Sequence, residues 1–197
     1  MEGTIHISRK LIERCLLGDM KAQYQLYLMY SRAMYNIAIR ILNNKMDAED
    51  ILQESFLKAF ERMGDLQDRD LFGSWLKRIV INNCISLQRK RKMIFEEVDE
   101  DHCGEVQEPD EEMPEVDPAV VHHAIRELPD KGRAVLVLRA LEGYSHKEIA
   151  EVLGITVSTS KTQYSRCLGL LQKKLKANID VRGTGEISEK AAGYTGH

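Results

Sequence analysis

Apolar positions recur at helical spacing along most of the chain, and long alternating β-branched runs are missing. Leu11, Ile12, Cys15 and Leu16 open a stripe that resumes after Gly18 through Ala22, Leu26, Met29, Ala33 and Ile37. Asp47 is placed to cap a second helix, since its carboxylate can accept from the unpaired amides of the first turn. That helix is expected to bury Ile51, Leu52, Phe56, Ala59, Phe60 and Met63 and to leave Glu49, Asp50, Gln53, Glu54, Lys58 and Glu61 outside. A third starts near Asp70 and runs through Trp75, Leu76, Ile79, Val80 and Ile85 into a basic run at 88–92, with Trp75 on the apolar stripe and so expected in the core.

The helical pattern stops at residue 96. Residues 96–117 hold 12 acids and no lysine or arginine, and the four prolines, Pro109, Pro114, Pro118 and Pro129, fall in or just after this stretch. Low hydrophobicity with dense like charge does not build a core, so 96–118 reads as an acidic, extended linker. The pattern then returns: Val120–Leu128, broken by Pro129; Lys131–Leu141, ended by Gly143; and "SHKEIAEVLG", which Ser145 caps with Glu148 three residues on. Gly154 ends that helix, Thr156 caps the next, and its pattern fades near Ala177. The polar, glycine-bearing tail 178–197 is expected to be disordered. The fold class this predicts is all-α, with two small helical domains at 1–95 and 119–177 joined by the linker.

Composition agrees with a packed, water-compatible chain: 43% hydrophobic, 30% charged and 6% aromatic residues. The net charge of −3 conceals a partition. Residues 1–95 carry 16 basic against 11 acidic side chains, and residues 118–197 carry 12 against 8. Two basic modules flanking an acidic strap favour a nucleic-acid partner, which the bulk charge alone would argue against. No apolar run reaches membrane-spanning length, and the N-terminal stretch lacks a signal-peptide pattern, so the expectation is a cytoplasmic protein without membrane insertion. Cys15, Cys84, Cys103 and Cys167 show no CxxC pairing, and His102, Cys103, His122 and His123 fit no metal-ligand spacing. With no glycine-rich phosphate loop and no nucleophile beside a base, the chain is expected to be neither an enzyme nor the carrier of a cofactor or metal.

The segment "SHKEIAEVLGITVSTSKTQYSR" reads as a helix-turn-helix. Ile149, Ala150 and Leu153 face inward on its first helix. At 100° per residue, Ser160, Tyr164, Cys167, Leu168 and Leu171 face inward on the second. Ser158, Thr159, Thr162, Ser165 and Arg166 face outward beside Lys161 and Gln163, and the N-terminal half of such a helix enters the major groove.

"DAEDILQESFLKAF", "FGSWLKRIVINNCISLQRKRK" and, after the strap, "LPDKGRAVLVLRALEGYSHKEIAEVLGI" together resemble an extracytoplasmic-function (ECF) sigma factor of the sigma-70 family over roughly residues 10–95 and 120–176. The resemblance implies a monomer acting within RNA polymerase to direct promoter-specific initiation. Asp50, Gln53 and Glu54 would contact the clamp of the core enzyme, whose flap is the other implied contact. Lys77, Arg78, Asn82, Asn83, Arg89, Lys90, Arg91 and Lys92 would bind and open the −10 element, one of the asparagines lying where the family meets a flipped base. Ser158, Thr159, Lys161, Thr162, Gln163 and Arg166 would face the −35 element. The linker would thread polymerase channels, and an anti-sigma protein is a further implied partner. Three positions depart from the family pattern: Ser158 for glycine, Ser160 for a buried valine, and Gln163 for arginine. Losing the valine is expected to loosen the second helix by ~1 kcal/mol. Two alternatives stay open. One is a sigma factor with weak −35 specificity, recruited by a protein through the second domain or the tail; the other is a helix-turn-helix regulator of a different class, which would need a strand–helix receiver upstream.

Overall fold

The computed structural model describes residues 2–95 and 117–191, with side chains over 9–91 and 117–177. Most of the acidic strap and residues 192–197 lie outside the described residues. Among the described residues every regular element is helical, and the chain divides into two compact units at Asp99 and Glu100.

The first unit contains α1 (Glu2–Leu16), α2 (Met20–Leu42), α3 (Lys45–Glu61) and α4 (Phe72–Phe95). Gly18, at φ +81°, makes the α1–α2 corner, and Asp19 caps α2 by accepting from the amides of Lys21 and Ala22 at 2.8 and 3.1 Å. The first apolar stripe is therefore two helices, because the left-handed turn interrupts the hydrogen-bond ladder without changing the phase of the apolar positions. The core gathers Ile12, Leu26, Ile41, Ala48, Phe56, Ala59, Phe72, Leu76, Val80, Ile81 and Cys84. α4 starts at Phe72, after a short 3₁₀ turn at Arg69–Leu71, and Phe72 is the fully buried aromatic. Trp75, expected in the core, is half-buried and leans on Phe72 at a ring separation of 6.1 Å. Three residues along a helix is a 300° turn, which carries position 75 to the edge of the stripe that Phe72 and Leu76 define.

A second correction concerns the start of α3. The capping side chain is Asn44, whose Oδ1 accepts from the amide of Asp47 at 3.2 Å. Asp47 instead sits on the buried side of the first turn and receives both terminal nitrogens of Arg91 on α4, at 2.5 and 2.6 Å. Two capping-competent residues stand three apart, and the tertiary partner at Arg91 decides which one turns inward.

The second unit contains α5 (Pro118–Arg126), α6 (Asp130–Leu136), a π turn at Val137–Leu141, α7 (His146–Leu153) and α8 (Val157–Ala191). The segment expected as one helix to Leu141 thus widens into a π turn, whose Val137 carbonyl accepts from the amide of Glu142 at 3.1 Å. Gly143, at φ +77°, follows it. The backbone of α8 continues to Ala191, past the expected end at Ala177 and through much of the segment expected to be disordered. No proline follows residue 129, and single glycines such as Gly183 and Gly185 weaken a helix without forbidding it.

α6 and α8 meet at a glycine. A Cβ placed on Gly132 would stand 2.0 Å from the Sγ of Cys167. Gly132→Ala is expected to destabilise this unit by about 2 kcal/mol through overpacking. In a Cys167→Ala background the same change should become neutral or stabilising, because the clash is gone and alanine is the better helix former. A double-mutant cycle by urea denaturation checks both signs.

Candidate nucleic-acid and docking faces

The outer side of α3 keeps Asp50, Gln53 and Glu54 exposed. Glu54 receives the ammonium of Lys58 at 2.6 Å, one helical turn on. Two apolar side chains share this phase of the helix: Met46, 74% exposed, and Leu57, 63% exposed. Sequence reasoning passed over both. The signal was present, since Leu57 falls outside the Ile51–Leu52–Phe56–Ala59 stripe and has no reason in the core to be apolar.

On α4, Ser74, Arg78, Asn82, Ser86, Arg89 and Lys90 are exposed, mostly four residues apart, and Lys77 is half-buried at the edge of the row. The row offers cations, hydroxyls and an amide, a mixture suited to phosphates and base edges. The structure separates the two asparagines. Asn83 is buried; its Nδ2 donates to the Oγ of Ser55 at 2.9 Å, and its Oδ1 accepts from Lys58 at 2.9 Å. Arg91 is held by Asp47 and still presents about half of its side chain. The side chain of Lys92 lies outside the described residues. Behind the row, burial pushes the thiol of Cys84 up to about 12, so it packs as a small apolar group.

In the second unit the helix-turn-helix forms as its caps dictate. Ser145 and Glu148 close a capping box, Gly154 at φ +67° ends α7, and Thr156 accepts from the amide of Thr159 at 3.0 Å to start α8. Ser158 and Lys161 are exposed, whereas Thr159, Thr162, Gln163 and Arg166 are half-buried. Two hydroxyls turn back on their own helix: Thr159 pairs with Thr156 at 2.8 Å, and Thr162 donates to the carbonyl of Ser158 at 3.0 Å. The Nε of Arg166 is buried with no hydrogen-bond partner among the described residues.

Ser160 is fully buried, and its hydroxyl pairs with Nδ1 of His146 at 2.9 Å, with the imidazole edge-on to Tyr164. A polar bond between α7 and α8 thus stands where an apolar anchor was expected, and it offsets the loosening that loss of valine implies. Burial, then Arg139 and Lys161, hold the pKa of His146 below its ordinary 6.5. Below that value the unfolded chain takes up the proton more readily than the native one. The stability His146 contributes is therefore complete above pH 6.5 and declines as pH falls from there through the lowered native value. Denaturation of the wild type and of His146→Gln at a series of pH values should show this component only in the wild type.

Among the described residues, no group of three His, Cys, Asp or Glu side chains stands where it could hold a metal ion, and no helix is long and apolar enough to cross a membrane.

Fold and faces define a two-module, all-helical protein with a DNA-binding helix-turn-helix. The family models for sigma-70 region 2 and sigma-70 region 4 match residues 26–93 and 119–171. The RNA polymerase sigma-H factor of Pseudomonas aeruginosa is 30% identical over 181 residues, covering 85% of this chain and 93% of the relative. The ECF RNA polymerase sigma factor SigW of Bacillus subtilis is 32% identical over 182 residues, covering 85% and 96%. Among solved structures, the chain is similar to the sigma factor RpoE of Bartonella quintana in complex with the anti-sigma factor NepR, at 25% identity and TM-score 0.53 over 78% of this chain and 96% of that one. It is also similar to CnrH in complex with the cytosolic domain of CnrY, at 25% identity and TM-score 0.51 over 87% and 98%. The chain belongs to the ECF group of the sigma-70 family of RNA polymerase sigma factors. The region 2 match removes the reading as a regulator of another class.

Proposed function

We propose that the chain acts in the cytoplasm as a non-enzymatic, monomeric subunit of RNA polymerase holoenzyme, with residues 1–95 and 119–177 as its two working modules. The outer face of α3, with Asp50, Gln53 and Glu54, docks on the core enzyme. The exposed row of α4 binds and opens the −10 region: Asn82 meets a base, and Lys77, Arg78, Arg89 and Lys90 neutralise phosphates. The N-terminal half of α8, with Ser158, Thr159, Lys161, Thr162, Gln163 and Arg166, contacts the −35 region. The observation that carries this reading is the division of labour in one helix pair, where α3 keeps its carboxylates exposed while α4 exposes a basic and amide-bearing row. An anti-sigma protein is the proposed antagonist, because two structures of similar fold are complexes, one with an anti-sigma factor and one with the cytosolic domain of CnrY.

A second reading keeps polymerase docking and assigns −35 selectivity to a protein partner. It is favoured by the turned-in hydroxyls of Thr159 and Thr162, which leave Ser158 and Lys161 as the exposed polar side chains at the start of α8. One experiment tests both. In transcription from a pooled promoter library with purified core polymerase, the first reading expects transcripts sharing −10 and −35 elements. The second expects a −10 element alone. No transcript dependent on the added protein sinks both.

A further inference from the structure

Asn82 and Asn83 are adjacent, so their side chains leave α4 about 100° apart and only one can belong to the outer row. Asn83 is the inner one, and both ends of its amide are engaged on α3: the nitrogen on Ser55 and the oxygen on Lys58, each at 2.9 Å. Ser55 is itself fully buried, and Lys58 reaches the amide while its ammonium also meets Glu54. The residues around this pair in sequence, Leu52, Phe56 and Ala59 on α3 and Val80, Ile81, Cys84 and Ile85 on α4, are buried and apolar.

Apolar packing is not directional, so by itself it tolerates a small roll of one helix on another. The amide is directional on both sides. A roll of α4 by about 20° would move a side-chain tip some 5–6 Å from its axis by about 2 Å. That displacement breaks the hydrogen bonds of Asn83, and it is also enough to carry Asn82 out of reach of a base edge. The Asp47–Arg91 pair ties the same two helices about two turns further along α4, so rotation is opposed at two heights.

We propose that Asn83 is a positioning residue for promoter reading: held by Ser55 and Lys58, it sets the rotation of α4 and so the direction in which Asn82 and Arg78 are presented to DNA. This rests on the reading of α4 as the −10 helix. It assigns Asn83 to orientation, not to a base or phosphate.

The test compares Asn83→Leu, Asn83→Asp, Asn82→Ala and Asn82→Asp in reconstituted holoenzyme. The readout is the ratio of initiation from a responsive promoter to that from single-base variants of its −10 element, with polymerase affinity and thermal melting measured alongside. Asn83→Leu is expected to lower the ratio on the order of tenfold, the share of one base-edge contact, with polymerase affinity unchanged. Asn83→Asp is expected to keep the ratio, because a carboxylate accepts from both the Lys58 ammonium and the Ser55 hydroxyl. A residue touching DNA predicts the reverse: the carboxylate loses the amide's donor, and Asn83→Asp falls as far as Asn83→Leu. That result, or an unchanged ratio for Asn83→Leu, overturns the proposal. Should Asn83→Leu melt early, Ser55→Ala removes one tie and should shift the ratio the same way by less; an unchanged ratio there overturns it too. If both Asn82 variants leave the ratio flat, the reading of α4 itself fails and takes this inference with it. If the Asn82 variants lower the ratio and the Asn83 pattern is absent, the inference alone fails.

Discussion

Arg133→Ala is expected to lower the stability of the second unit by about 3 kcal/mol, a loss that removes most of the margin of a small helical domain. The arginine is only 2% exposed. Its guanidinium donates to the carbonyl of Leu128 at 2.8 Å, to that of Arg126 at 3.4 Å and to the carboxylate of Asp130 at 2.5 Å. Carbonyls at the C-terminal end of a helix have no partner within it, and Pro129, lacking an amide hydrogen, cannot supply one. Arg133 reaches back from α6 to close the end of α5, so truncation leaves the buried bond to the carbonyl of Leu128 unmade and a cavity beside it. Asp130, whose carboxylate is 77% exposed, is a rim partner, and Asp130→Asn should cost no more than about 1 kcal/mol. Urea denaturation followed by helical circular dichroism separates the two, with the unit 1 transition as internal reference. Because α8 packs on α5 and α6, Arg133→Ala should also weaken any contact the helix-turn-helix makes with DNA.

Reversing charge at Asp50 and Glu54 together is expected to lower affinity for core polymerase on the order of a hundredfold, since like charges brought together at an interface cost several kcal/mol. Both side chains are exposed on α3, so the fold should survive. Glu54→Lys does place two ammonium groups one turn apart, at a local cost of about 0.5 kcal/mol, while Lys58 keeps its bond to Asn83. Gln53→Ala and Leu57→Ala should each weaken docking by less. Titration of labelled protein with core enzyme reads all three variants. Unchanged affinity in the double reversal would remove α3 as the docking face.

Local signals proved readable where their chemistry is local. The capping box at Ser145 and Glu148, the left-handed Gly154 and the Thr156 cap need no distant residue, and each stands as its sequence pattern indicates. Of the set expected inward from periodicity, Ser160, Cys167 and Leu171 are buried, whereas Tyr164 and Leu168 are half-buried. The site was less legible at Asn82 and Asn83. Apolar residues flank them on both sides in "RIVINNCI", so the helical period alone leaves the phase of either amide open. Likewise nothing near Asp47 in sequence announces Arg91, which lies 44 residues further on.

By itself the sequence determined the all-helical class, the two modules with an acidic segment between them, the helix-turn-helix and the family, because caps, turns and apolar periodicity act over a few residues. Tertiary structure alone decided which partner satisfies each inward polar side chain: Asp47 on Arg91, Asn83 on Ser55 and Lys58, Ser160 on His146, and Arg133 on the end of α5. A polar group in a buried seam is tolerated only when its partner is in place. For Asp47, Asn83 and Ser160 that partner comes from another helix, 14 to 44 residues away along the chain, where no local pattern encodes it.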